Sequence, residues 1–340
     1  MPPIGRRVVS ADFAQDEEIV MSSKKIDGEP RWRLYLVAAA FTLSIGFSFF
    51  GIKKCVPYAD TLTILTYRYV AALIGVTLWI AVTRHMGLYP KSQVRRPKAK
   101  LYQTAAFYIL FMIFQILSMF FATSIEGAIV YAMVPIFAKI IGRVVLGEKS
   151  TRLQMVFVVM TVASLMILIV LNASDIHLNL KGIIFMTIGT FFMGCQNVSA
   201  RYVRGVFRPI EITAAIAIGG SIIFIGTSIV KAAMTDGFEE LLAPLGHPEF
   251  VIWASFLGIF CILLSAQFMA YMLAHMEIIQ SAIFNSASTF VSIIAGALIL
   301  GEPLRWYHFL CGALILAGVI GLTLAPADSR NAGKALSDDM

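Results

Sequence analysis

The chain has 340 residues, 59% of them hydrophobic and only 14% charged. A water-soluble domain carries about a quarter charged residues, and here the apolar residues come in long runs, not in the periodic stripes of amphipathic helices, so a soluble enzyme or binding module is excluded in favour of a multi-span membrane protein. The formal charge of +7 would suit nucleic acid, but the basic residues sit between the apolar runs and report topology instead.

Residues 1–33 are polar and lack the apolar stretch of a signal peptide, so they read as a cytoplasmic tail. Ten apolar runs follow, each close to the ~20 residues that cross a bilayer. They span about 34–52, 62–83, 103–122, 126–146, 153–171, 182–203, 210–232, 250–274, 278–300 and 306–325, with 326–340 as a second tail. Pro57, Pro90, Pro97, Pro209, Pro244, Pro248 and Pro303 all fall between runs, where helices end or start. Gly147 and Gly301 each follow a run, as glycines do after a helix C-terminus. Glu148 and Glu302 are expected beside the N-termini of the following helices, where the helix dipole favours an anion. Asp236, Glu239, Glu240 and Glu249 cluster before the eighth run. Phe238, Leu241 and Leu242 can form a short interfacial turn there, although a plain solvated loop is the expectation. The four cysteines, Cys55, Cys195, Cys261 and Cys311, are scattered and form no CxxC or His/Cys cluster. No disulfide framework, metal or cofactor is expected.

Lys and Arg distribution sets the orientation. Six lie in the N-terminal tail, six between the second and third runs, two after the fourth, three after the sixth and two in the C-terminal tail. The alternate side holds only Lys53, Lys54, Lys181, Lys231 and Arg305. Both termini are therefore expected in the cytoplasm.

Shifted by 154 residues, Ile125–Glu148 lies without a gap on Ile279–Glu302, with eight of 24 pairs identical. A gapless match of this length argues for internal duplication. Five runs per half is an odd number, so the second half enters the membrane upside down. The expected fold is an all-α integral membrane protein with ten transmembrane helices as two inverted five-helix repeats, at 34–171 and 182–325. Inverted repeats are a habit of secondary transporters, whose halves open a central site to either side.

Two spans ending in Leu-Gly-Glu, ten helices and the five-plus-five duplication resemble the drug/metabolite transporter superfamily, EamA type. Leu298-Ile-Leu-Gly-Glu-Pro-Leu304, followed by Gly312, Gly318 and Gly321, is the most typical stretch, and Thr66-Tyr-Arg-Tyr-Val-Ala-Ala-Leu73 is similar to the family's second-helix signature. The resemblance covers roughly residues 32–325 and implies the fold and a transport function. It leaves the substrate open, since the superfamily handles amino acids, nucleotide sugars, sugar phosphates, amines and drugs. The sequence departs from strict duplication in two places: the seventh run has no Arg to match Arg68, and Thr289 stands opposite Pro135.

Only Arg68 and Lys139 lie well inside the runs, where a cation costs roughly 2.5–3.5 kcal/mol to insert. Arg68 either holds an anionic group or pairs with a carboxylate such as Glu126, or caps carbonyls of a neighbouring helix. Tyr131, Pro135, Lys139 and Arg143 recur every four residues and so share one helical face, with a bend expected at Pro135. Lys139 either faces a central site or snorkels beside Arg143. Gln115, Ser118, Gln196, Asn197, Gln267, Asn285 and Ser288 are polar groups at mid-span. Such groups bond another helix more often than a ligand. Asn285 is the repeat mate of Tyr131, which places the two at related depths. The candidate substrate-binding set is Arg68, Gln115, Tyr131, Lys139, Asn197 and Asn285; no catalytic residue is assigned. Among the histidines, His308 lies slightly inside the tenth run and reads as structural. The late glycines and small residues, Gly219 to Ser221, Ala295 to Ala297, Gly312, Gly318 and Gly321, read as helix packing.

The reading is a multi-pass secondary transporter of a small polar or amphipathic metabolite, with an anionic or zwitterionic solute favoured because two inward cations meet no mid-span carboxylate. The alternative is a receptor or scaffold without transport activity. An enzyme is not expected, since no GxSxG, HExxH or CxxC is present. The expected partners are the small-molecule substrate and the lipid bilayer, with a homodimer left open and no nucleic acid.

Overall fold

The structure is a computed structural model that describes residues 31–86, 98–146, 151–173, 178–204, 206–235, 237–276 and 278–324. These residues are helical nearly throughout, and there is no strand among them. Lipid offers no partner for backbone N–H and C=O groups, so a spanning segment must satisfy its own by helix formation. In order the helices are α1 (Arg31–Cys55), α2 (Thr61–His85), α3 (Ala99–Met119), α4 (Ser124–Tyr131), α5 (Val134–Leu146), α6 (Arg152–Ala173) and α7 (Leu178–Arg204). There follow α8 (Pro209–Thr235), the short α9 (Phe238–Leu242), α10 (Pro248–Gly258), α11 (Ser265–His275), α12 (Ile278–Leu298) and α13 (Trp306–Leu324).

Eight helical stretches are long and apolar enough to cross a bilayer. Arg152–Leu168 and Ile283–Leu298, in the runs read as fifth and ninth, are apolar but shorter. Val144, Val159, Ile222, Met234 and Leu298 all face outward. A soluble protein would not tolerate so many bare aliphatic side chains; a lipid solvent accepts them. The protein is a multi-pass membrane protein.

Helix starts follow local chemistry. Asp60 accepts from Thr63 N at 2.9 Å and begins α2. Thr123 and Glu126 form a reciprocal capping box at α4, at 3.1 and 2.9 Å. Arg208 N donates to Glu211 at 2.8 Å at the start of α8. Gly301 has φ +66°, the left-handed conformation that lets the chain leave α12. Gly147 and Glu148 lie outside the described residues.

Three sequence expectations need correction. The fourth run is not one helix bent at Pro135: it breaks after Tyr131 and resumes at Val134. Pro135 therefore sits in the first turn of α5, where a missing N–H costs nothing. The loop before α10 is not plain coil but α9 followed by the 3-10 turn Ala243–Gly246. It is tied down by Tyr67, whose hydroxyl donates to Leu241 O at 2.9 Å. The eighth run contains a π-helical segment, Ile259–Leu264, joining α10 to α11; wide turns of this kind gather at functional sites.

Helix pairing is close and sparingly polar. α3 packs along α7 and α8, α2 along α8 and α10, α4 on α12, and α6 on α13. Hydroxyls bridge several of these seams. Thr66 meets Ser228 at 2.7 Å, Thr104 meets Ser199 at 2.7 Å, and Ser221 donates to Tyr69 O at 3.1 Å. On α1, Thr42 donates to Phe284 O at 3.1 Å, and Ser44 O accepts from Cys261 at 3.0 Å. Small residues set the approach distance, as expected for the late glycines. Gly220 lies under the Tyr69 ring, and Gly318 and Gly321 lie against Thr161 and Phe157.

Gly258 lies closest to another helix's backbone, beside Arg68. A Cβ there would collide with the Arg68 carbonyl and stand 2.7 and 2.8 Å from Ala71 Cβ and Ala72 N. Backbone cannot yield as a flexible side chain does. Gly258→Ala is expected to destabilise the protein by about 1–3 kcal/mol, the range for overpacking. Gly226→Ala, with nothing within 4 Å of the new methyl, is expected to be neutral or slightly stabilising. Thermal unfolding of the two variants in detergent checks the contrast.

Candidate functional site

Arg68 is carried by α2 into the helix seams and is 1% exposed. Its Nη1 donates to Gln115 Oε1 at 3.5 Å, the outer limit of a hydrogen bond, and its Nε has no partner. Among the described residues no carboxylate oxygen lies within 4.0 Å of it. The expected pairing with Glu126 is not formed. Glu126 instead accepts from Thr123 N and stands 3.9 Å from His308 Nε2. His308 is 3% exposed, and its Nδ1 accepts from Arg305 N at 3.3 Å, which anchors it at the start of α13.

Arg68 opens onto a cavity of about 400 Å³. Of the residues named from the sequence, Arg68, Gln115, Tyr131, Asn197 and Asn285 all line it. Tyr131 stands at the end of α4, its ring 5.7 Å from those of Phe49 and Phe111. Asn285 lines the same space from α12, and its carbonyl accepts from Ser288 Oγ at 2.6 Å. Lys139 is not among the lining residues: on α5 the wall stops at Pro135, one helical turn short of it. The break at Ala132–Met133 ends the continuous helical face on which its placement depended. Gln196 lines the cavity; Gln267 lies behind it and donates to Thr213 at 3.5 Å.

Several lining residues carried no signal in the sequence. Tyr108 and Phe111 on α3, Cys261 and Ile262 on the π-helical segment, and Arg204 at the end of α7 belong to the wall. An aromatic or a cysteine inside an apolar run looks like any core residue. Arg204 reads as a loop cation, yet it marks the mouth: with Pro209 and Leu273 it is exposed where the cavity reaches the helix ends.

The opposite end of the helices is held by polar contacts, and none of the residues forming them lines the cavity. Lys54 pairs with Glu249 at 3.0 Å, and Tyr58 donates to the other oxygen of Glu249 at 2.7 Å. Lys231 pairs with Asp60 at 2.8 Å. Burial would raise the Asp60 carboxyl, but hydrogen bonds from Lys231 and Thr63 outweigh it and hold the pKa below 3.8. Its contribution is present above the ordinary carboxylate value and is lost as pH falls through the lower folded one. The Tyr58 phenol is shifted up, chiefly by its bond to Glu249.

Glu302 makes the most complete of these contacts. It does not sit on the helix that follows it, as expected from the sequence. It reaches across to α4, accepting from Ser124 N at 2.8 Å, Ser124 Oγ at 2.7 Å and Ile125 N at 3.2 Å. These are orphan donors at a helix N-terminus, where the dipole also favours an anion. α4 thus carries Glu302 at one end and Tyr131, in the cavity wall, at the other.

A buried guanidinium lines a cavity inside a bundle of helices that are long and apolar enough to cross a membrane. The chain belongs to the EamA-like transporter family, which matches residues 32–170 and 180–324. It is a transporter, not an enzyme. It is similar to "Uncharacterized transporter YcxC" of Bacillus subtilis (strain 168), at 28% identity over 294 residues, 84% of this chain and 91% of that one. It is also similar to an "Uncharacterized transporter" of Archaeoglobus fulgidus, at 22% identity over 286 residues, 84% of this chain and 96% of the other. A solved chain described as "Crystal structure of protein" is 14% identical with a TM-score of 0.48, covering 87% of this chain and 98% of its own.

Replacing Glu302 by Ala strands three donors at the head of α4. The expected loss is about 1–3 kcal/mol, the cost of unsatisfied buried groups. Glu302→Gln retains an acceptor and is expected to lose less. Chemical or thermal unfolding in detergent ranks the two.

Proposed function

We propose that the protein is a secondary transporter that moves a small polar or amphipathic metabolite, anionic or zwitterionic, by alternating access. The observation that carries this reading is Arg68: a buried guanidinium with no counter-charge among the described residues, in a cavity that reaches one end of the helices while polar contacts tie the other. A cation held in low dielectric without a partner costs several kcal/mol. An incoming anion offsets that cost.

In this reading ten spans form two inverted repeats, 34–171 and 182–325, with both termini in the cytoplasm. The pairing of helices supports it. α2 packs on α8, α4 on α12 and α6 on α13, each helix on its expected repeat mate. The lysine and arginine count supports a cytoplasmic mouth, since Arg204 and Pro209 belong to the basic side. The substrate site is Arg68, Gln115, Tyr131, Asn197 and Asn285; Lys139 stands outside the wall and is assigned a snorkelling role.

Uptake into proteoliposomes tests the assignment. Tyr131→Ala is expected to lower flux by about tenfold or more, corresponding to ~1.4 kcal/mol of lost interaction. Lys139→Ala is expected to keep flux within about twofold of wild type. Unchanged flux in Tyr131→Ala, with folded protein, contradicts the site. Absence of flux for every member of a broad metabolite panel contradicts transport.

A further inference from the structure

The chemistry of the wall narrows the solute further, an argument that rests on the transport reading above. We propose that the site takes a monocarboxylic acid with an apolar body, its carboxylate on Arg68. Three observations support it.

The first is the state of Arg68 itself. Its Nε is unpartnered, and among the described residues its guanidinium makes one hydrogen bond, the 3.5 Å contact to neutral Gln115. A guanidinium carries five donors in a planar fork that matches two carboxylate oxygens. The side chain is therefore short of acceptors of the kind a carboxylate supplies.

The second is the count of charges. No Asp, Glu or His lines the cavity among the described residues. An organic cation would meet Arg68 with nothing to neutralise it. The one other lining cation, Arg204, is exposed at the mouth. A phosphate ester or diphosphate would thus bring a second negative charge into the deep site with no partner. The ammonium of a zwitterion would find only neutral oxygens.

The third is the rest of the wall. Phe111, Met112, Val134 and Ile262 present apolar surface around the polar groups. Tyr108, Tyr131 and Cys261 line the same cavity as Arg68, so aromatic surface shares the space with its charge. The volume of about 400 Å³ suits a small molecule.

The test is binding to the purified full-length protein in detergent, by calorimetry. The probes are hexanoate and 3-phenylpropionate, their matched primary amides and amines, and phenyl phosphate. At least one acid is expected to bind about tenfold or more tighter than its amide, the difference made by a charge-assisted hydrogen bond. The amines and phenyl phosphate are expected to bind more weakly than the acid. Arg68→Gln is expected to bind acid and amide alike. Should Arg68→Gln fail to fold, the wild-type series decides alone. An amide or amine equal to its acid, phenyl phosphate as the tightest ligand, or no binding by either acid overturns the proposal. Acid-selective binding without any flux upholds it and removes the transport reading. Flux restricted to amines does the reverse.

Discussion

The structure turns on one unpaid electrostatic debt: a guanidinium drawn into the helix seams without an anion beside it. Arg68 is 1% exposed, and its single hydrogen bond, to Gln115, is long and neutral. Its neighbours do not relieve it. Cys261 is engaged with the Ser44 carbonyl, and Glu126 is committed to its own helix start. Packing holds Arg68 in place, since Gly258 lets α10 lie directly on its backbone. An unpaired charge in low dielectric is costly. Among the described residues, the cavity wall around Arg68 carries amides and aromatics but no acid.

The two ends of the bundle are built differently. At one, exposed Arg204, Pro209 and Leu273 frame an opening. At the other, Lys54 with Glu249, Lys231 with Asp60, and Glu302 with Ser124 draw helices together. The two ion pairs are each more than a third exposed, and such contacts are worth little individually. Glu302 differs, because it satisfies backbone donors of a helix rather than a flexible side chain. The eight-residue α4 runs from that cap to Tyr131 in the cavity wall.

Much of this was legible in the sequence, and the reasons for the rest are specific. Run length and charge placement gave the membrane class, because lipid leaves the chain few choices. The starts of the fourth and seventh runs were readable, and local caps at Glu126 and Glu211 fix them. Arg68 was conspicuous, since a cation in an apolar run needs a reason. The break before Val134 was not legible: a proline at the second position of a new helix and a proline kinking an old one look alike. Lys139 was misplaced by that same ambiguity. The partner of Glu302 could not be read, because Ser124 lies 178 residues away. The π-helical segment at Ile259–Leu264 leaves no mark in a stretch that is apolar throughout.

In the proposed cycle the end held by Lys54 and Glu249 parts for solute to cross, while the cavity binds without that movement. Replacing Lys54 and Glu249 by cysteines, in a background lacking the four native ones, allows a short bifunctional maleimide to lock this end. The locked protein is expected to bind solute as the unlocked protein does and to lose flux. Flux that persists through complete cross-linking contradicts the account.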